Sequence, residues 1–197
     1  MPMPQRYPIP ANTVRAEIVI TRSRFIATIG AADSVEAARE FIQRIRAEMP
    51  DATHHVYAFR AGYGSSVQEG LSDDGEPAGT SGKPVMAVLR GAEIGDVVLV
   101  VTRYFGGTKL GTGGLVRAYS SAAKAVIEQL PLTEKVASIT LEIACSYANF
   151  EPIKRLLPHY EAVLTGEQFT DIVALTLRVP EDRFNDFSRE IAPFRLK

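Results

Sequence analysis

The sequence contains one cysteine, no tryptophan and almost no net charge. Each scarcity narrows what the chain does. A single thiol, Cys145, forms no internal disulfide and cannot build a cysteine-based zinc site. It lies in an apolar run at residues 139–145, where a small core residue is expected rather than a nucleophile. A formal charge of −1 gives no overall attraction to nucleic acid or to a membrane surface, so any basic site has to be local. No apolar run approaches the roughly 18 residues that a membrane span requires. The opening MPMPQRYPIP is proline-rich and has no apolar h-region, so it does not read as a signal peptide. A cytoplasmic protein with no membrane contact is expected.

What is present is an ordinary globular balance, 46% hydrophobic and 23% charged, which argues for a folded chain. Its 197 residues suffice for one large domain or two small ones. Residues 1–13 read as an extended arm, because closely spaced prolines prevent a helix. Two β-rich runs, 16–21 and 24–30, flank Arg22-Ser23 as a hairpin. A helix follows from Asp33 or Ser34 to Met49, with Val35, Ala38, Ile42, Ile45 and Met49 on one face. Residues 54–59 form a strand. A polar, glycine-rich stretch then runs from 60 to 84, long enough to suggest a functional loop. Residues 84–90 read as a helical turn. The clearest strand is 96–101, whose VVLVV is apolar on both faces and so central and covered. A helix at 115–130 carries the stripe Leu115, Tyr119, Ala122, Val126 and Leu130.

Residues 131–134 read as a linker, giving two domains, 1–132 and 133–197. In the second the pattern restarts as strand 137–144, helix 150–157, strands 162–166 and 171–179, and helix 181–191. That is βαββα, a small sheet with helices on one face.

Two loops hold the candidate chemistry. The first is Ser72-Asp-Asp-Gly-Glu-Pro-Ala-Gly-Thr-Ser-Gly-Lys-Pro84. Its carboxylates Asp73, Asp74 and Glu76 repel one another unless positive charge sits among them. That charge is either a divalent cation held by the three carboxylates or arginines from elsewhere in the fold. Calcium-loop spacing of the EF-hand kind is absent. Gly75 and Gly79 permit left-handed backbone, and Thr80 with Lys83 adds donors.

The second loop is Arg103-Tyr-Phe-Gly-Gly-Thr-Lys-Leu-Gly-Thr-Gly-Gly-Leu115. It joins the central strand to a helix, so backbone N–H groups around Gly106, Gly107, Thr112 and Gly113 gather at a positive helix end suited to an anion. Lys83, Arg103, Lys109 and Arg117 supply charge. The spacing is neither GxxxxGK[ST] nor GxGxxG. Tyr104 and Phe105 follow a core strand and are expected in the core, although aromatics here also suit base stacking. His54 and His55 are adjacent, point to opposite faces of a strand and cannot easily share a metal.

These two loops, with the strand His55-Val-Tyr-Ala-Phe-Arg60 before them, resemble the hallmark pair of the YigZ/IMPACT family over residues 7–125. The resemblance implies an α+β fold. The N-terminal β-sheet would be covered by two helices, like the second domain of a small-subunit ribosomal protein. The C-terminal domain would be a small ferredoxin-like βαββα unit similar to the last domains of elongation factor EF-G. Both relatives are ribosome-associated, and IMPACT acts in translational control. The expected function is therefore a nucleic-acid- or ribosome-associated binding protein, with RNA or the ribosome as partner, linked to regulation of translation. A metal- or phosphate-dependent enzyme acting on a nucleotide or small phosphorylated substrate is one alternative. A protein-interaction module with a protein partner is the other.

Overall fold

A computed structural model describes residues 6–196. Residues 1–5 of the expected arm lie outside the described residues. The chain divides into two compact units between Lys135 and Val136.

The first unit is built on a five-stranded antiparallel sheet. Its strands are β2 (Val14–Ile20), β3 (Ser23–Ala31), β4 (His54–Ala61), β5 (Gln68–Ser72) and β6 (Val97–Tyr104), after β1 (Arg6–Pro10). The sheet order is β2-β3-β6-β4-β5, which puts the apolar β6 at the centre. Residues 97–103 of β6 are all buried, as expected of a strand covered on both faces.

The covering is sequence-coded. Helix α1 (Val35–Glu48) starts where Ser34 Oγ accepts from the Ala37 N–H at 3.1 Å. It buries Ala38, Phe41, Ile42 and Ile45 against Ile26, Val98 and Val100. Helices α2 (Gly82–Gly91) and α3 (Gly111–Ile127) pack side by side on the opposite face. There they meet Phe25, Ala27, Ile29, Val56, Val97, Leu99 and Val101. The two helices expected from periodicity, α1 and α3, thus lie on opposite faces, and α2 extends the short turn expected at 84–90.

The segment expected as a linker is instead a strand, β7 (Leu132–Val136), paired with β1. The prolines of β1 lack N–H groups, which restricts them to edges, and a two-stranded ribbon is all edge. Buried Asp96 anchors the ribbon. Its carboxylate accepts from Tyr7 Oη at 3.0 Å, Lys135 Nζ at 2.5 Å and the Gly62 N–H at 2.7 Å. The long stretch 60–84 also contains strand β5, at the sheet edge against β4.

The second unit contains β8 (Ser138–Cys145), α4 (Tyr147–Leu156), β9 (Val163–Phe169), β10 (Val173–Pro180) and α5 (Glu181–Ile191). Its strand order is β8-β10-β9, all antiparallel. Ile143, Ile153, Val173, Leu175, Leu177, Phe187 and Ile191 form its core. Cys145 is fully buried there, and burial pushes its thiol upward, away from the reactive thiolate. No helix among the described residues is long and apolar enough to cross a membrane.

Replacing Asp96 with Ala strands two donors and the half-exposed Lys135 ammonium. We expect a loss of about 2 kcal/mol in urea unfolding, below the full figure for a buried ion pair because water reaches Lys135. An unchanged midpoint would show that the β1–β7 ribbon is not anchored through this carboxylate.

Candidate functional site

Strand alternation sets the site. Residues 97, 99, 101 and 103 of β6 face α2 and α3, so Arg103 ends the apolar row on that side. In register it lies between Phe25 of β3 and His54 of β4. A guanidinium at the end of a core row requires a counter-charge, and the first loop provides it. Glu76 Oε1 accepts from Arg103 Nη1 at 2.6 Å and from Tyr119 Oη at 2.7 Å. All three side chains are buried, Glu76 at 8% and Arg103 at 5% exposure. Burial, followed by the hydrogen bond to Glu76, holds the Tyr119 hydroxyl far above its usual range, so it stays a donor. Arg103 Nη2 donates to Ser23 Oγ at 3.2 Å, and Ser23 Oγ also accepts from the Gly106 N–H at 3.1 Å. The two glycine-rich loops are therefore joined through Glu76, Arg103 and Ser23.

The other carboxylates of the first loop turn elsewhere. Asp73 accepts from Ser81 Oγ at 2.6 Å and from the N–H groups of Gly79, Gly82 and Ser81 at 2.7, 2.8 and 3.1 Å. It is a remote cap on α2. Burial opposes its ionisation, but the Ser81 hydroxyl and those three N–H groups outweigh it and lower its pKa below the ordinary aspartate value. Gly79 makes its bond from a left-handed backbone, φ 77°, that suits glycine. Asp74 accepts from Arg46 Nη2 at 2.5 Å and from the His55 N–H at 2.6 Å, and its carbonyl lies 2.8 Å from His54 Nδ1. Thr80 is buried, its hydroxyl donating to the Pro77 carbonyl at 2.7 Å.

The expected divalent-cation set Asp73, Asp74 and Glu76 is thus not brought to a common point. Among the described residues no three metal-ligating side chains gather. The compensating charge comes from Arg46, Arg103 and a helix N-terminus, the other expectation for this loop. His54 and His55 separate as their alternation requires. His55 Nδ1 lies 3.1 Å from Thr102 Oγ1 on the α1 side, and burial lowers its pKa.

The anion-binding set divides. Arg103 is consumed by Glu76 and is not free for a phosphate, a correction to the expected set. Lys83, Lys109, Thr112, Gly113 and Arg117 are exposed. Helix α3 begins without a side-chain cap and without an acid in its first turn, leaving its first N–H groups unpartnered by side chains. Gly107 and Gly111 have left-handed backbone with open space beside them. Gly106 is fixed for a different reason. A Cβ there would lie 2.1 Å from the Arg22 carbonyl carbon, so only glycine lets the loop rest on the β2–β3 turn. That turn itself is strained, with Thr21 at φ 46° and Arg22 at φ 66°.

Sequence reasoning missed three contributors and misjudged the burial of a fourth residue. Tyr119 sat in an apolar stripe, Ser23 in a turn, and Arg46 on an amphipathic helix. Phe105 was expected in the core and is 47% exposed. Strand β6 ends at Tyr104, so the burial pattern of the strand does not extend to Phe105.

Glu76→Gln leaves the Arg103 cation buried without counter-charge and should cost about 3–5 kcal/mol in urea unfolding, whereas Tyr119→Phe should cost only about 1–2 kcal/mol. Equal, small effects would remove the ion pair as the joint between the loops. For Asp73 the folded-state pKa is lowered, so its stabilisation is present above the ordinary value of 3.8 and disappears as pH falls through the lowered one. The stability gap between wild type and Asp73→Asn should therefore be constant near neutrality and close on acidification below that value. A gap that does not change with pH argues against the cap.

Known proteins resemble this chain along most of its length. Residues 21–127 match the Impact N-terminal domain, and residues 143–194 match a domain of unknown function, DUF1949. The chain is 40% identical to the IMPACT family member YigZ of Escherichia coli K12 over 187 residues, 94% of this chain and 92% of the relative. It is 35% identical to the IMPACT family member YvyE of Bacillus subtilis, over 87% of this chain and 79% of the relative. A crystal structure of a hypothetical protein superposes with a TM-score of 0.73 at 38% identity, spanning 97% of this chain and 93% of that one. With both of its matched domains in order and relatives aligned along nearly its whole length, the chain belongs to the IMPACT family.

Proposed function

We propose that the chain is a nucleic-acid- or ribosome-associated binding protein that acts in translation, taking phosphate groups at the second glycine-rich loop. The observation that carries this reading is the distribution of unpaired cations. Most lysines and arginines of the first unit are held in ion pairs. Those without one among its described residues are Arg22, Arg39, Lys83, Lys109, Arg117 and Lys124. Of these, Arg22, Lys83, Lys109 and Arg117 fall at the two loops or on the turn that Gly106 touches.

The uncapped first turn of α3 adds N–H donors and partial positive charge beside Arg117, whose Nη1 lies 3.7 Å from where a Cβ on Gly113 would be. Beside Gly107 and Gly111 the space is open to a phosphate. The link to translation rests on what the family resemblance implies, folds like those of ribosome-associated domains, an argument from fold alone.

The test is anisotropy of labelled RNA at stepped salt. Binding should weaken steeply as salt rises, because neutralised phosphates release counterions. Lys109→Glu and Arg117→Glu should each weaken binding. Each should also flatten the log–log salt slope by about 0.7 for every single-strand phosphate that is no longer neutralised. Both residues are exposed, so folding should be unaffected. If no RNA or DNA probe is retained even at low salt, the proposal fails, and an enzyme or a protein-interaction module takes its place.

A further inference from the structure

We propose that Phe105 is a base-stacking platform and that this surface takes single-stranded nucleic acid in preference to a duplex. The inference rests on the reading of the surface as a nucleic-acid site and specifies which form of nucleic acid it accepts.

Three observations converge on Phe105. It follows a strand in which residues 97–103 are buried, yet it is 47% exposed. Its position is fixed. The Phe105 N–H donates to Thr53 Oγ1 at 3.1 Å, and the next N–H, of Gly106, donates to Ser23 Oγ at 3.1 Å. Its ring also has an inner partner. The Arg103 guanidinium carbon lies over the ring, 5.5 Å from its centroid. Arg103 is only 5% exposed, so the ring face it covers is the one turned to the protein. The 47% exposure of Phe105 is accordingly assigned to its other face. Arg103 itself is held by Glu76, so the platform has a rigid base and little orientational freedom to lose on binding.

The surroundings decide what stacks there. A protein-docking aromatic is expected among other apolar side chains. The exposed residues that follow Phe105 in the chain are Gly107, Thr108 and Lys109, Arg22 is on the turn beneath Gly106, and the exposed Thr53 accepts from the Phe105 N–H. They offer N–H groups, a hydroxyl and positive charge, and no apolar side chain. A flat aromatic face beside cations and open backbone N–H groups matches a nucleotide, base and phosphate together. In a duplex each base face is already occupied by its stacked neighbour, so a stacking platform gains nothing unless a base is first extruded. An unpaired base carries no such cost.

The chain has no tryptophan, so Phe105→Trp introduces a single tryptophan, excited apart from the tyrosines, at the proposed contact. Titration with a short oligouridylate should change its emission saturably, and a blunt RNA duplex should not. Phe105→Ala should weaken oligouridylate binding roughly tenfold, within the range for loss of one base–aromatic stack. It should leave duplex binding unchanged and lower the thermal unfolding midpoint only slightly, for the lost Arg103 contact. If wild type binds oligouridylate with salt sensitivity while Phe105→Ala binds equally and the tryptophan stays silent, stacking is overturned and the basic surface stands. If duplex affinity falls as much as single-strand affinity, the preference is overturned. If wild type binds neither RNA, the nucleic-acid reading falls and this inference falls with it. Should Phe105→Ala fail to fold, the tryptophan signal decides alone.

Discussion

One buried carboxylate, Glu76, governs the arrangement of both glycine-rich loops. Neither loop has many apolar side chains of its own, so neither can be fixed by packing alone. The Glu76–Arg103 pair substitutes for that packing. Arg103 sits at the end of the central strand, Glu76 on the first loop, and Tyr119 about two turns into α3. A single oxygen, Glu76 Oε1, accepts from both partners, so strand, loop and helix keep one register. Burying two charges is expensive, and a hydrophobic substitute of the same shape often stabilises as well or better. What such a substitute lacks is direction. A guanidinium admits its partner at few angles, which suits a joint between segments that glycine would otherwise leave loose.

How far the sequence revealed this depended on the range of the interaction that decides each element. The β6 strand and the α1 and α3 helices were legible because burial is written locally, as a continuous apolar run or a 3.6-residue stripe. Strand β5 was not. QEGLS has no period, and it is a strand only because β4 offers an unpaired edge. The β1–β7 ribbon was hidden by prolines and by a polar segment that reads equally well as a linker. Helix α2 was seen short because its start depends on Asp73, eight residues before Ser81, rather than on a neighbouring cap.

The site shows the same division more sharply. Sequence identifies a charge but not its burial. Arg103 and Lys109 look alike as cations beside glycines, yet one is locked in the core and the other is exposed. The three carboxylates of the first loop look like a metal site because their spacing is visible and their partners are not. Arg46 lies on a helix much earlier in the chain, and nothing local connects it to Asp74. Tyr119 was read as an apolar-stripe residue, and its ring does pack edge-on against Phe25. Its hydroxyl becomes meaningful only when Glu76 reaches it.

This division of charge would determine how an anion met the surface. Within the first loop the negative charges are matched at close range, Asp74 by Arg46, Glu76 by Arg103, and Asp73 by the N–H groups that lead into α2. Matched pairs project little field outward. The unpaired cations Arg22, Lys83, Lys109 and Arg117 stand out against them even though the whole chain carries −1. Their field fades within a Debye length of about 8 Å at physiological salt. A nearly neutral protein does not draw nucleic acid from afar, so association lacks the long-range steering of strongly basic proteins. On the proposed reading, selection would fall to contact, where the geometry of the loops, joined through Glu76, would determine which phosphates and which base faces fit.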